Sequence, residues 1–166
     1  MWLFLAENIV KKHRFMSVLY ILVACVTLSL FTDCLGDEDG GSEVDDTAIS
    51  WADAYFNFDL KKAQRYTTPE SRIWLSFLAS NITENDLTII RQQEESAIVE
   101  LTSSEQINDS TWLTTMTVSN FMMMDSIGQT GHMVDEAEFT VPVVKRNKRT
   151  FVRMEGLPRS GRQSHD

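Results

Sequence analysis

Cysteine is scarce in this chain: only Cys25 and Cys34 stand among its 166 residues, and both precede residue 46. A disulfide scaffold and a four-cysteine zinc site are thereby excluded. What folds after residue 46 is stabilised by its core alone. Histidine is almost as sparse. His13 lies in a basic N-terminal stretch, His165 is the penultimate residue, and His132 follows Gly131. No Ser/His/Asp or Cys/His set is in view. Positive charge is in deficit, with 15 Lys and Arg against 24 Asp and Glu and a formal net charge of −9. A general nucleic-acid binder needs the opposite balance and is excluded. Glycine is rare between residues 47 and 155, where only Gly128 and Gly131 occur, and no repeat shows at solenoid periods. The 43% hydrophobic and 23% charged residues are those of a folding chain,, and the length fits one domain.

What is present divides the chain at about residue 46. Lys11, Lys12 and Arg14 precede an apolar run from Phe15 to Thr32, followed by Asp33 and Cys34. Basic cluster, apolar run and short exit form the layout of an export signal. The run also just reaches the ~18 residues at which a membrane-spanning helix becomes a candidate. A cleaved signal and an uncleaved anchor therefore both stand on length. The stretch Leu30-Phe-Thr-Asp-Cys34 resembles a bacterial lipoprotein signal, which implies that residues 1–33 are a signal peptide and that the Cys34 thiol carries a diacylglycerol,. It departs from that pattern at Asp33, where Gly, Ala or Ser is usual. Leu22-Val-Ala-Cys25 fits the pattern residue by residue, but cleavage there leaves Val26–Thr32 as an apolar stub, so Cys34 ranks first.

Residues 34–46 then carry six acids, no base and three of the seven glycines. Such a stretch buries too little apolar area to offset its chain entropy, and it reads as an acidic flexible tether. It resembles the surface-export tether of some Gram-negative outer-membrane lipoproteins; a plain solvated linker is the other reading. Basic residues before the run and acidic ones after it favour an extracytoplasmic C-terminal part. The expected address is the cell envelope, lipid-anchored, at the outer membrane or cell surface ahead of the inner membrane.

Residues 47–157 read as one domain, helices first. Thr47 is placed to cap a helix from Ala48 to about Asn57, with Ile49, Trp51, Ala52, Tyr55 and Phe56 at helical spacing,. Asp59 caps a short second helix over 60–66. Thr68-Pro69-Glu70 starts a third, with Ile73, Trp74, Phe77, Leu78 and Ile82 inward,. Strands follow: Ala97–Thr102, Thr111–Met123, Glu136–Val144 and Thr150–Glu155, with an earlier one over Leu87–Arg91,. Pro142 marks a sheet edge or a bulge. Residues 158–166 read as a basic disordered tail.

Helices followed by antiparallel strands define an α+β domain. The element order, and the stretch Trp51-Ala-Asp-Ala-Tyr-Phe-Asn-Phe-Asp-Leu-Lys-Lys-Ala-Gln-Arg-Tyr-Thr-Thr-Pro-Glu-Ser-Arg72, resemble the nuclear transport factor 2-like (cystatin-like) superfamily. That resemblance implies N-terminal helices packed in a curved antiparallel sheet forming a cone. Its members include ligand binders, enzymes and sheet-mediated dimers, so it does not choose a function.

Candidate chemistry is thin. Asp53, among Trp51, Ala52, Ala54, Tyr55 and Phe56, is the one weak catalytic candidate; the spacing to Asn57 equally marks the wet side of a helix,. Trp51, Tyr55, Tyr66, Trp74 and Trp112 are candidate ligand-binding residues or, alternatively, core. Met122, Met123 and Met124 with His132 and Met133 suggest a soft metal site, but consecutive strand residues point to opposite faces, and no metal and no cofactor are expected. Seven bases between residues 145 and 162 stand against one acid, Glu155. They could meet an anionic partner or the acidic part of their own chain. The expected function is a non-catalytic ligand- or partner-binding domain on a lipid anchor. Its partners would be the membrane, a small apolar ligand, and a homodimer or envelope protein, with no nucleic acid. A structural or assembly lipoprotein acting through a sheet-mediated dimer ranks next, and a small isomerase, dehydratase or hydrolase using Asp53 ranks last.

Overall fold

The computed structural model describes residues 39–124 and 128–161. The signal, the apolar run, Cys25 and Cys34 lie outside the described residues, as does the end of the tail from residue 162.

The first helix, α1, runs Asp39–Phe56. Its buried side chains, Val44, Ala48, Trp51, Ala52, Tyr55 and Phe56, recur three, four and seven apart and so form one stripe,. The start lies well before the expected Ala48. Val44, one turn before Ala48, is fully buried and adds a turn of core contact to the helix. Glu43 lies one turn from the positive end of the helix dipole,. Part of the expected flexible tether, residues 39–46, is therefore helix. Thr47 is no cap: it lies mid-helix, and its hydroxyl is 2.6 Å from that of Thr150.

Asn57 ends α1 and ties it to the sheet. Its Nδ2 donates to the Asp53 and Ala97 carbonyls, and its Oδ1 accepts from the Ala97 amide at 2.8 Å. Phe58 follows in the left-handed region, φ 58°. Asp59 caps the short α2, Leu60–Ala63, by accepting from the Lys62 amide. A 3-10 turn, Pro69–Ser71, leads into α3, Arg72–Asn81. Buried Ser71 accepts from Thr68 Oγ1 and the Met154 amide and donates to the Met154 carbonyl, pinning this corner to the chain after the last strand. The inward face of α3 is Leu75 and Leu78, whereas Ile73 is 67% exposed, contrary to the expected face.

The strand expected at Leu87–Arg91 is instead part of α4, Glu84–Gln92. A reciprocal capping box decides it: Thr83 Oγ1 accepts from the Asp86 amide, and the Asp86 carboxylate accepts from the Thr83 amide,. Two otherwise orphaned N–H groups are satisfied, which outweighs the β-branched character of Thr88, Ile89 and Ile90.

Four antiparallel strands follow in the order β1-β2-β3-β4: β1 Ile98–Asn108, β2 Thr111–Met123, β3 His132–Arg146 and β4 Arg149–Val152. The expected inward sets hold where α1 covers the sheet. Trp112, Met116, Val118, Phe139, Val141, Val143 and Val152 are buried, and Glu136, Glu138 and Thr140 face outward,. Pro142 sits inside β3 where β4 ends. Its carbonyl accepts from Arg153, just past β4, so its nitrogen also points to that side, where no ladder donor is needed,. His132 is the first residue of β3 rather than a loop residue. The expected tail is partly docked. Ser160 bridges to Phe139, and the Gly161 amide donates to the Glu138 carbonyl at 2.9 Å. Helices and one antiparallel sheet around a shared core make this an α+β domain.

Candidate functional site

Strict alternation along β2 ends at Asn120, whose φ of 55° places it in the left-handed region that Asn tolerates better than most residues,. Phe121 and Met122 are then both buried in succession. The kink delivers Met122, Met123 and Met124 to the same cavity, although regular pleating would separate them.

That cavity has a volume of about 560 Å³, within the ~300–1,000 Å³ of small-molecule sites. Its walls come from Tyr55, Phe56 and Phe58 after and within α1, from Trp74, Phe77 and Leu78 on α3, from Phe121–Met124 at the end of β2, and from Phe139. The segment Glu155–Ser160 forms the remaining wall. At its base Phe56, Phe121 and Phe139 form a mutual cluster with ring centroids 4.6–5.5 Å apart, tilted or edge-to-face, the favourable arrangements of aromatic quadrupoles,. Trp51 stacks on Tyr55 at 4.9 Å, and Trp74 meets Phe77 edge-on. Tyr55 is 8% exposed. Burial pushes its phenol well above the usual tyrosine value, so at neutral pH it is a hydrogen-bond donor and not an anion,. Glu155 and Arg159, one of each sign, are the charged residues of the lining.

The structure brings two of the five expected ligand-binding residues, Tyr55 and Trp74, to this cavity. Trp51 is fully buried, with Nε1 donating to Thr67 Oγ1 at 3.0 Å. Trp112 is buried on the inner sheet face. Tyr66 lines a separate, shallow groove with Glu43, Asp46 and Ser50. Asp53 is outside the cavity lining. Its carboxylate pairs with Lys62 at 2.8 Å and accepts from Asn57, and its side chain is 48% exposed. The Asp53 hydrogen bond and charge hold the Lys62 ammonium above its ordinary value. Among the described residues no group of three or more His, Cys, Asp or Glu side chains is set to hold a metal ion.

The basic C-terminal stretch meets acids of its own chain. Arg146 Nη1 lies 2.9 and 3.0 Å from the two Glu70 oxygens. Lys145 approaches Glu43 at 4.0 Å, and Arg153 approaches Glu155 at 3.4 Å. Arg149 lies over the Phe151 ring at 5.3 Å. Glu43 belongs to the stretch that composition marks as tether.

Phe56, Phe58, Phe77, Phe121 and Phe139 were not singled out as ligand-binding residues. Their sequence neighbourhoods carry no signal of it, because two left-handed residues and a returning C-terminal segment assemble them. No family model and no curated protein matches the sequence. A solved structure described as "Ntf2 like protein involved in plasmid conjugation" is similar at 11% identity and a TM-score of 0.41. The match covers 74% of this chain and 51% of that protein, so the chain spans about half its length.

Proposed function

We propose that this chain is a lipid-anchored cell-envelope protein whose nuclear transport factor 2-like domain holds a small apolar ligand without catalysing a reaction on it. The observation that carries the ligand reading is the cavity of about 560 Å³, walled by aromatic rings and thioethers. An apolar ligand entering a space of that size and lining removes aromatic and thioether surface from water, which favours its binding. The anchor reading rests on the basic, apolar and cysteine order at residues 11–34. The fold reading rests on the order of short helices and a four-stranded antiparallel meander with α1 packed on one face. Catalysis by Asp53 draws no support from its surroundings, where a lysine neutralises it outside the cavity.

One measurement addresses both halves. The full chain is recovered from bacterial membranes and its mass is read under native and denaturing conditions. The expected denatured mass is residues 34–166 plus acyl chains, lost in Cys34→Ala. The expected native mass includes a small molecule whose occupancy falls in Met124→Trp, where a larger side chain takes up part of the cavity. An unacylated full-length mass would sink the anchor reading. A native mass free of small molecules at every extraction condition would sink the ligand reading.

A further inference from the structure

Lys145, Arg146, Asn147, Lys148 and Arg149 close β3, turn the chain and open β4, and all of them are exposed. Asn147 and Lys148 hold φ of 52° and 63°, the backbone of a tight two-residue hairpin turn. Two of the four cations are spent on acids of the domain, Lys145 on Glu43 and Arg146 on Glu70. Lys148 and Arg149 meet no carboxylate among the described residues. The direction in which this hairpin points is set by α1. Phe56, the last residue of α1, packs on Phe139, and Glu43, near its start, reaches Lys145. From Phe56 back to Glu43 the helix travels about 20 Å, and β3 travels about the same from Phe139 to Lys145. Thr150 keeps β4 in that alignment by bonding to both Thr47 and Glu43. The hairpin tip therefore stands beside the N-terminal end of α1. That is the end at which the chain arrives from the apolar run, and residues 33–38, which join the two, span at most about 22 Å,.

We propose that the β3–β4 hairpin is a membrane-contact surface, on which Lys148 and Arg149 meet anionic phospholipid headgroups while the N-terminal end of α1 is turned to the bilayer. This rests on the anchor reading and adds the face that the anchor holds to the membrane. A tether of that length keeps the hairpin within reach of the headgroup layer, so the encounter is intramolecular. Screening leaves the attraction effective over about 8–10 Å, and each cation at an anionic surface is worth roughly fivefold in occupancy. The acids at this end of the domain are engaged elsewhere. Glu43 faces Lys145, Asp45 accepts from Ser104 on β1, and Asp46 lines the groove beside Tyr66, so none of the three pairs with Lys148 or Arg149.

The test reads lysine acetylation rates, residue by residue from peptide masses, in the full chain inserted into preformed vesicles. One set of vesicles is phosphatidylcholine; the other holds roughly one third phosphatidylglycerol. Flotation with the neutral vesicles reports the anchor by itself. Lys148 is expected to react roughly three- to tenfold more slowly on the anionic vesicles, with the difference removed by high salt. Lys61 on α2, beyond the far end of α1, should react equally on both. In Arg149→Glu the protection of Lys148 should fall several-fold, while Lys62, paired with Asp53, keeps its slowed rate and shows that the variant is folded. A chain that floats but whose Lys148 reacts equally on both vesicles would overturn the headgroup contact and leave the anchor reading standing. Equal slowing of Lys61 and Lys148 would overturn the orientation, and protection unchanged in Arg149→Glu would overturn the assignment to this pair. Protection by soluble glycerol 3-phosphate on neutral vesicles would assign the hairpin to a free anion and overturn the membrane contact. A chain that floats with neither set would overturn the proposal together with the anchor reading.

Discussion

The Asp86 carboxylate and the Gly131 amide meet at 2.8 Å across 45 positions of sequence. Asp86 is fully buried, and its other oxygen accepts from the Thr83 amide and hydroxyl at 2.6 and 2.7 Å. One side chain thus closes the start of α4 and anchors the entry to β3. Burial acts to raise its carboxyl, and the three hydrogen bonds overcome that and hold it below the ordinary range,. The folded-state value being depressed, the stabilisation is complete above the ordinary Asp value of about 4 and is lost as pH falls through the lower folded value. Asp86→Asn is expected to cost about 2 kcal/mol at neutral pH, since an amide cannot serve all three donors. Urea melts at pH 7 and pH 3 should show the gap between the two proteins shrinking in acid; a gap that widens in acid would contradict the assignment.

Gly131 is part of the same joint for a steric reason. A Cβ there would stand 2.8 Å from the Met123 carbonyl oxygen and 3.1 Å from the Met122 side chain. Side chains can yield, but the β2 backbone cannot. Gly131→Ala should therefore lower stability by about 1–3 kcal/mol, the usual range for overpacking. Gly156→Ala, where nothing lies within 4 Å of the added carbon, is the control expected to change little. Thermal melts of both variants check the contrast.

Much of the sheet was legible because period-two alternation is a direct consequence of the pleat: Phe139, Val141 and Val143 fall inward as spaced,. The misreadings have local causes. Gly40 and Gly41 with six nearby acids argue for a tether, and only Val44, one turn before Ala48, signals the longer helix. Leu87-Thr-Ile-Ile90 has strand composition, yet Thr83 and Asp86 already form a capping pair three apart. The cavity was legible only through Tyr55 and Trp74. Its other walls depend on left-handed backbone at Phe58 and Asn120 and on Ser160 returning to Phe139. No spacing rule encodes such long-range closure.

Tyr55 carries a prediction for the empty domain. Removing a hydroxyl that has no hydrogen-bond partner among the described residues takes away no contact and keeps the ring that stacks on Trp51. Tyr55→Phe should leave stability unchanged or raise it by up to about 1 kcal/mol. Phe56→Ala, at the centre of three ring contacts, should lower it by about 3–5 kcal/mol,. Chemical denaturation of ligand-free protein separates these; a destabilised Tyr55→Phe would mean that its hydroxyl has a partner in the empty state.

The indole of Trp51 offers a polar counterpart within the core. Its Nε1 donates to Thr67 Oγ1, which itself donates to the Ala63 carbonyl. Thr67 also bridges to Val152, so one residue joins α1, the end of α2 and the β4 edge. Thr67→Val preserves volume but strands the indole N–H in a dry interior, while the Ala63 carbonyl keeps the Tyr66 amide at 3.0 Å. The expected loss is about 1–3 kcal/mol, with the backbone bonds at 66–68 intact. Trp51→Phe in the same background removes the stranded donor. The double variant should then be less destabilised than the sum of the two single ones, because the hydrogen bond is lost only once. Strict additivity in that cycle would mean that the Trp51–Thr67 bond contributes nothing beyond packing.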